Sequence, residues 1–93
     1  MKKVTWFYMN GCPYCRNANK AYEDILNDHP EYKAIEIKKI NEVQEAALAD
    51  TYDYYYVPTF YVDDKKVYEC SPQDNYDVIK QHVEVVLKSA FDE

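Results

Sequence analysis

Glycine is almost missing from this 93-residue chain: Gly11 is its only one. Turns that need a positive φ must therefore draw on Asn or Asp. Basic residues are also short, eleven against seventeen acidic ones, for a net charge of -6. A chain of that sign repels phosphate backbones and anionic lipid heads, so neither nucleic acid nor a membrane surface is an expected partner. Long apolar runs are lacking too. The longest near the start, Val4 to Met9, is too short for a signal-peptide core or a membrane span, and a soluble cytoplasmic protein is expected. Three cysteines are too few, and odd in number, for a disulfide framework. The two histidines, His29 and His82, have no ligand partner at metal spacing. What is present suits one small domain: 47% hydrophobic and 16% aromatic residues supply a single core and exclude disorder.

Val4-Thr5-Trp6-Phe7-Tyr8-Met9 is β-branched and aromatic on both parities, the pattern of a central strand covered on both faces. Asn10-Gly11 ends it. From Pro13 onward, Cys15, Ala18, Ala21, Tyr22, Ile25 and Leu26 recur at helical intervals until Asn27-Asp28-His29-Pro30. Tyr32 to Ile40 alternates, predicting a half-buried strand near an edge. Asn41 with Gln44 three residues later reads as a capping box, opening a helix through Val43, Ala47, Leu48 and Tyr52. Val57-Pro58 introduces Thr59 to Val62, Asp63-Asp64-Lys65 turns, and Lys66 to Cys70 completes a hairpin. Ser71-Pro72-Gln73-Asp74 reads as a helix start with Ser71 as N-cap, followed by the stripe Tyr76, Ile79, Val83, Val86 and Ala90. The order β-α-β-α-β-β-α predicts an α/β fold with a right-handed crossover, a four-stranded mixed sheet and helices on both faces.

Chemistry concentrates in Cys12-Pro13-Tyr14-Cys15, between the first strand and the first helix. With Cys12 at the N-cap, Pro13 occupies the first helical position and Cys15 follows one turn along. That spacing can meet the geometry of a disulfide. Free N–H groups and the positive end of the helix dipole favour a thiolate at Cys12, and Arg16 adds positive charge. The expectation is an asymmetric pair: an accessible nucleophile at Cys12 and a buried second thiol at Cys15. Two alternatives stay open. Half a zinc site would need two more ligands from Cys70, His29 and His82, which offer no second paired spacing. The other is a pair of cysteines that merely pack.

Through these residues the whole chain resembles the thioredoxin superfamily. Cys-Pro-Tyr-Cys and the short length are similar to glutaredoxins, whereas Leu48-Ala49-Asp50-Thr51-Tyr52 leading to Val57-Pro58-Thr59-Phe60 is similar to thioredoxins. The resemblance implies a thioredoxin-like fold and thiol–disulfide exchange through Cys12 and Cys15. It also implies a cis peptide before Pro58, which keeps the Val57 backbone free to pair with an extended substrate. Pro13, Tyr14, Val57 and Pro58 would line that substrate site, and Cys70, aligned with a cysteine of some glutaredoxins, would be a third redox thiol or a semi-buried strand-end residue. Glutaredoxins usually hold glutathione with Thr before Val-Pro and with a Gly-Gly turn. Here Tyr56 and Tyr68-Glu69 stand at those places, which weighs against a glutathione site. Trp6 stands where thioredoxins carry a buried Asp, and Gly11 where they carry Trp. The implied partners are disulfide-containing proteins, with a reductase or a low-molecular-weight thiol as electron donor. No cofactor beyond the Cys12–Cys15 disulfide is expected, and the protein is expected to be a monomer. The alternative from another class is a glutaredoxin-type module holding a metal or iron–sulfur cluster through Cys12, against which Pro13 and the altered glutathione positions both count.

Overall fold

A computed structural model describes residues 1–93. The chain runs through β1 (Val4–Tyr8), α1 (Pro13–Asp28), a 3-10 turn at Pro30–Ala34, β2 (Ile37–Asn41), α2 (Ala46–Ala49), β3 (Thr59–Val62), β4 (Lys65–Glu69) and α3 (Tyr76–Asp92). The strands form one mixed sheet in the order β2-β1-β3-β4. β1 and β2 are parallel, with Trp6 opposite Lys39, while β3 runs antiparallel to both β1 and β4. This is the α/β architecture that the element order implied.

β1 is covered on both faces, as its run of Val, Trp and Phe requires. Val4 and Trp6 point into a large core with Ala18, Ala21 and Ile25 of α1 and Ile79, Val83 and Val86 of α3. Phe7 points the other way, into a small cluster with Ile40, Ala49 and Tyr61, flanked by Leu48, Tyr52, Tyr54 and Val57. Completely burying one such apolar side chain contributes roughly 1.5–3 kcal/mol, so the α1/α3 face carries most of the stability. The hairpin turn takes its positive φ from Asp63, at 50°. An aspartate thus does there what glycine would otherwise do.

Three element boundaries differ from expectation. β2 begins at Ile37 rather than Tyr32, because Pro30 opens a 3-10 turn. Tyr32 is buried there, stacked near His29 and Phe91 with ring separations of 5.1 and 5.4 Å. The second helix shrinks to Ala46–Ala49. Asn41 does accept hydrogen bonds from the Val43 and Gln44 N–H groups, at 3.0 and 3.3 Å, but turns follow instead of helix and Val43 is left 71% exposed. The capping residue works without the buried stripe that would extend a helix. The last helix starts after Asn75, whose side chain accepts from Val78 N–H at 3.0 Å. Ser71 and Asp74 instead close a turn on each other: Ser71 N–H donates to the Asp74 carboxylate at 3.0 Å and Asp74 N–H to Ser71 C=O at 2.9 Å. No helix is long and apolar enough to cross a membrane.

Candidate active site

The loop between β1 and α1 narrows to Gly11, with φ 76°, and Cys12, with extended φ and ψ of -91° and 116°. A left-handed residue next to an extended one turns the chain from strand to helix in two steps. Cys12 is the N-cap: its sulfur accepts the Cys15 N–H at 3.2 Å, and Pro13 fills the first helical position, where no N–H is needed. Cys15 falls on the buried stripe of α1. Burial, and then the hydrogen bond with Cys12, push its thiol up to about 12, which keeps it protonated at neutral pH.

Cys12 is less open than its sequence position suggested. It is only 4% exposed, because the segment at Val57 lies across it, with the Cys12 thiol 3.9 Å from the Val57 carbonyl oxygen. Cys12 nonetheless belongs to the lining of a surface groove of about 290 Å³, with Met9, Pro13, Tyr14, Glu42, Tyr55, Tyr56 and Val57. Pro13 is exposed there and Tyr14 is half-buried. The Tyr14 hydroxyl donates to Pro72 C=O at 2.8 Å, tying the first turn of α1 to the loop before α3.

The Val57–Pro58 peptide is cis, and Pro58 is buried. Pro58 C=O accepts the Cys70 N–H at 3.0 Å, which brings the end of β4 to the same end of the sheet as the groove. Cys70 itself is 2% exposed and packs in the large core; burial pushes its thiol up, and its Sγ–H points to Ser71 C=O at 3.5 Å. The structure therefore brings Cys12, Pro13, Tyr14 and Val57 together in the groove lining, with Cys15 against the Cys12 sulfur, Pro58 next in chain to Val57, and Cys70 hydrogen-bonded to Pro58 C=O; these last three lie outside the lining.

Two residues escape a reading of the sequence. Glu69, read there only as counting against a glutathione site, is a clasp. One carboxylate oxygen accepts the N–H groups of Tyr55 and Tyr56, at 2.6 and 2.8 Å, and the other accepts Lys66 Nζ at 2.8 Å. Burial raises the Glu69 carboxyl, but these three donors outweigh it and hold the group below its ordinary value. The tyrosine segment that walls the groove is thereby pinned to β4. No local pattern signals this, because the partners lie thirteen and fourteen residues apart.

The second is Lys39, on the α1 side of the sheet. Its ammonium sits 4.4 Å above the Trp6 ring and 5.2 Å from the Tyr8 ring, and donates to Asn19 Oδ1 at 2.6 Å. Burial lowers its pKa, opposed by the neighbouring Cys15 and Glu23. Trp6 is buried without a partner for its ring N–H. The position thus holds an aromatic ring under a cation, with no carboxylate. No three His, Cys, Asp or Glu side chains converge as a metal-ligand set.

A central mixed sheet, a Cys-x-x-Cys pair capping α1 and a proline loop facing it define a thioredoxin-like fold. Two solved structures share it. A mutant thioredoxin from Halobacterium salinarum NRC-1 matches with a TM-score of 0.56 and 24% identity over 90% of this chain and 73% of that one. A structure described as that of a malarial protein matches with a TM-score of 0.58 and 14% identity over 90% and 94% of the two chains. Identities this low speak for the fold alone. Residues 2–84 match the family model of the thioredoxin domain, and the chain belongs to that family. Thioredoxin-fold proteins are generally oxidoreductases, so membership supports a redox role in general terms. No curated protein matches the sequence.

Proposed function

We propose that the protein reduces disulfides by dithiol exchange through Cys12 and Cys15. The observation that carries this reading is Cys12 at the α1 N-cap, its sulfur accepting the Cys15 N–H, in the lining of an apolar groove. That N–H is a donor the sulfur can keep through the exchange. Cys12 thiolate attacks one sulfur of a substrate disulfide, forming a mixed disulfide and expelling the other substrate sulfur as thiolate. Cys15 then gives up its proton and attacks Cys12 Sγ. The second substrate sulfur leaves, and two electrons have passed from the Cys12–Cys15 dithiol to the substrate. A reductase or a low-molecular-weight thiol, as external donor, returns the pair to its dithiol form.

Division of labour follows from position, since the two thiols are almost equally buried at 4 and 3%. Cys12 belongs to the groove lining and Cys15, one turn further along α1, does not, yet its backbone already contacts the Cys12 sulfur. Holding it as a thiol lets the mixed disulfide persist until the substrate is seated. Val57, Pro58, Pro13 and Tyr14 form the proposed substrate wall, and Cys70, behind Pro58, is a reserve thiol that the reaction does not need. We place the working protein in the cytoplasm as a monomer, where thiols stay reduced.

Replacing Cys12 by serine will abolish reduction of a disulfide-bonded protein, while Cys15→Ser will accumulate a mixed disulfide visible on a non-reducing gel. Equal turnover by Cys12→Ser and the parent would end the reading. Because burial, which persists in the mixed disulfide, pushes the Cys15 thiol up, release of the mixed disulfide by the parent should accelerate with rising pH from neutral upward. The gain is about tenfold per pH unit while the thiolate fraction limits the step. A flat profile would show that Cys15 does not act as the second nucleophile.

A further inference from the structure

Four of the six large apolar side chains that stay exposed gather in one region, Met1 and Val85 being the other two. Met9, Tyr55 and Tyr56, exposed by 37, 87 and 54%, line the Cys12 groove. Val43, at 71%, lines an open groove of about 520 Å³ that shares Glu42 and Tyr55 with the first. One track thus leads from Cys12 along the loops flanking α2, apolar beside the cysteine and more polar beyond it. Exposed apolar surface gathered at one place marks an interaction site rather than ordinary surface.

Charge along the track has one sign. Glu42 borders both grooves, and Asp50 and Asp53 border the second. None of the three takes part in any of the ion pairs of the fold. Glu42 accepts only a neutral donor, the Tyr54 hydroxyl, at 2.7 Å. Between Lys39 and Lys65 the chain contains no Lys or Arg at all. Glu69 is matched by Lys66, which also borders a further groove with Asp53, so the unmatched charge is greatest at Glu42 and Asp50. Arg16, in the first turn of α1, lines neither groove. A second copy of this chain would bring Glu42, Asp50 and Asp53 of two molecules together, so self-association through this face is disfavoured.

We propose that this face docks an extended protein segment whose disulfide-bonded cysteine is flanked by lysine or arginine and by an aliphatic or aromatic residue. The apolar residue would rest on Met9, Tyr55 and Tyr56, with the cation toward Glu42 and onward to Asp50 and Asp53. This inference rests on the disulfide-reductase reading and names its substrate class.

The test compares three substrates with the unmodified protein: a neutral small disulfide, and two disulfide peptides identical except for lysine or glutamate at the flanking positions. At low salt the lysine peptide should be reduced with a kcat/KM about tenfold above the glutamate peptide, and the gap should close at high salt, as screening requires. Glu42→Gln combined with Asp53→Asn should narrow the gap at low salt. Reduction of all three at similar rates, or a preference that salt leaves untouched, would overturn the docking inference and leave the reductase reading intact. The same two peptides with their cysteines changed to serine, labelled and titrated by fluorescence anisotropy, separate the two readings. If no substrate is reduced but the lysine peptide still binds more tightly, the surface stands and the chemistry falls. Equal binding of both peptides would overturn the surface by itself.

Discussion

The two faces of the sheet are built to different standards. On one, α1 and α3 lie over Val4, Trp6, Phe60 and Val62 in a core of seventeen buried residues. On the other, four buried residues suffice, helped by half-buried neighbours and a helix of a single turn. Cys15 projects from the thick face, as part of a stripe that cannot shift without disturbing the core. Glu42, Tyr55, Tyr56 and Val57, which shape the groove, all belong to loops of the thin face. The contrast teaches that the cysteine pair and its surroundings are held by different forces: apolar burial for the former, aromatic contacts and a few hydrogen bonds for the latter. Phe7 stacks on Tyr54 at 4.8 Å and meets Tyr52 edge-on at 4.7 Å, and such contacts are worth about 0.5–1.5 kcal/mol each beyond area.

Substitutions on each face sharpen the contrast. The largest effect should come from Trp6→Ala on the thick face, which empties a fully buried site and costs about 3–5 kcal/mol by urea unfolding. A loss below about 1 kcal/mol would mean that the core is not the main source of stability. Next comes Glu69→Ala on the thin face. Freeing the Tyr55 and Tyr56 N–H groups should cost only about 1–2 kcal/mol yet raise KM for a protein disulfide more than it lowers kcat. Equal loss in both constants would assign Glu69 a general structural role. The same clasp has a pH signature. Because its folded pKa is depressed, Glu69 contributes its stability in full above its ordinary carboxylate pKa and loses it as pH falls through the depressed value. Glu69→Gln should remove that part of the acid sensitivity. Smallest is Tyr54→Phe, which deletes one hydroxyl bond to Glu42 and should cost about 0.5–1.5 kcal/mol. An effect as large as that of Trp6→Ala would erase the distinction between the faces.

Features fixed by near neighbours were legible before any coordinates. Cys12 as N-cap with Pro13 behind it, the two-sided β1, and an aspartate supplying positive φ at the hairpin all follow from local chemistry. Boundaries failed where two local solutions compete. Ser71-Pro72-Gln73-Asp74 satisfies itself as a turn, and Asp74 also accepts the Tyr68 hydroxyl at 2.7 Å, so helix waits for Asn75. Asn41 caps as expected, but nothing covers Val43. Within the site, the cysteine pair was legible and its cover was not. The burial of Cys12 under Val57, the Glu69 clasp, the Tyr14 tie to Pro72 and the Lys39 ammonium over Trp6 join residues 13 to 58 positions apart or on neighbouring strands. Only the folded chain brings them within reach.

With one achiral residue in ninety-three, the main chain has a single joint that swivels without a side chain in the way. That joint is Gly11, around whose missing Cβ there is open space, and it abuts Cys12. Alanine there would meet no atom and would suffer only from the left-handed dihedral, at a cost of about 1–2 kcal/mol. The one residue of this chain without a Cβ thus stands at the doorstep of the cysteine pair, where strand gives way to helix.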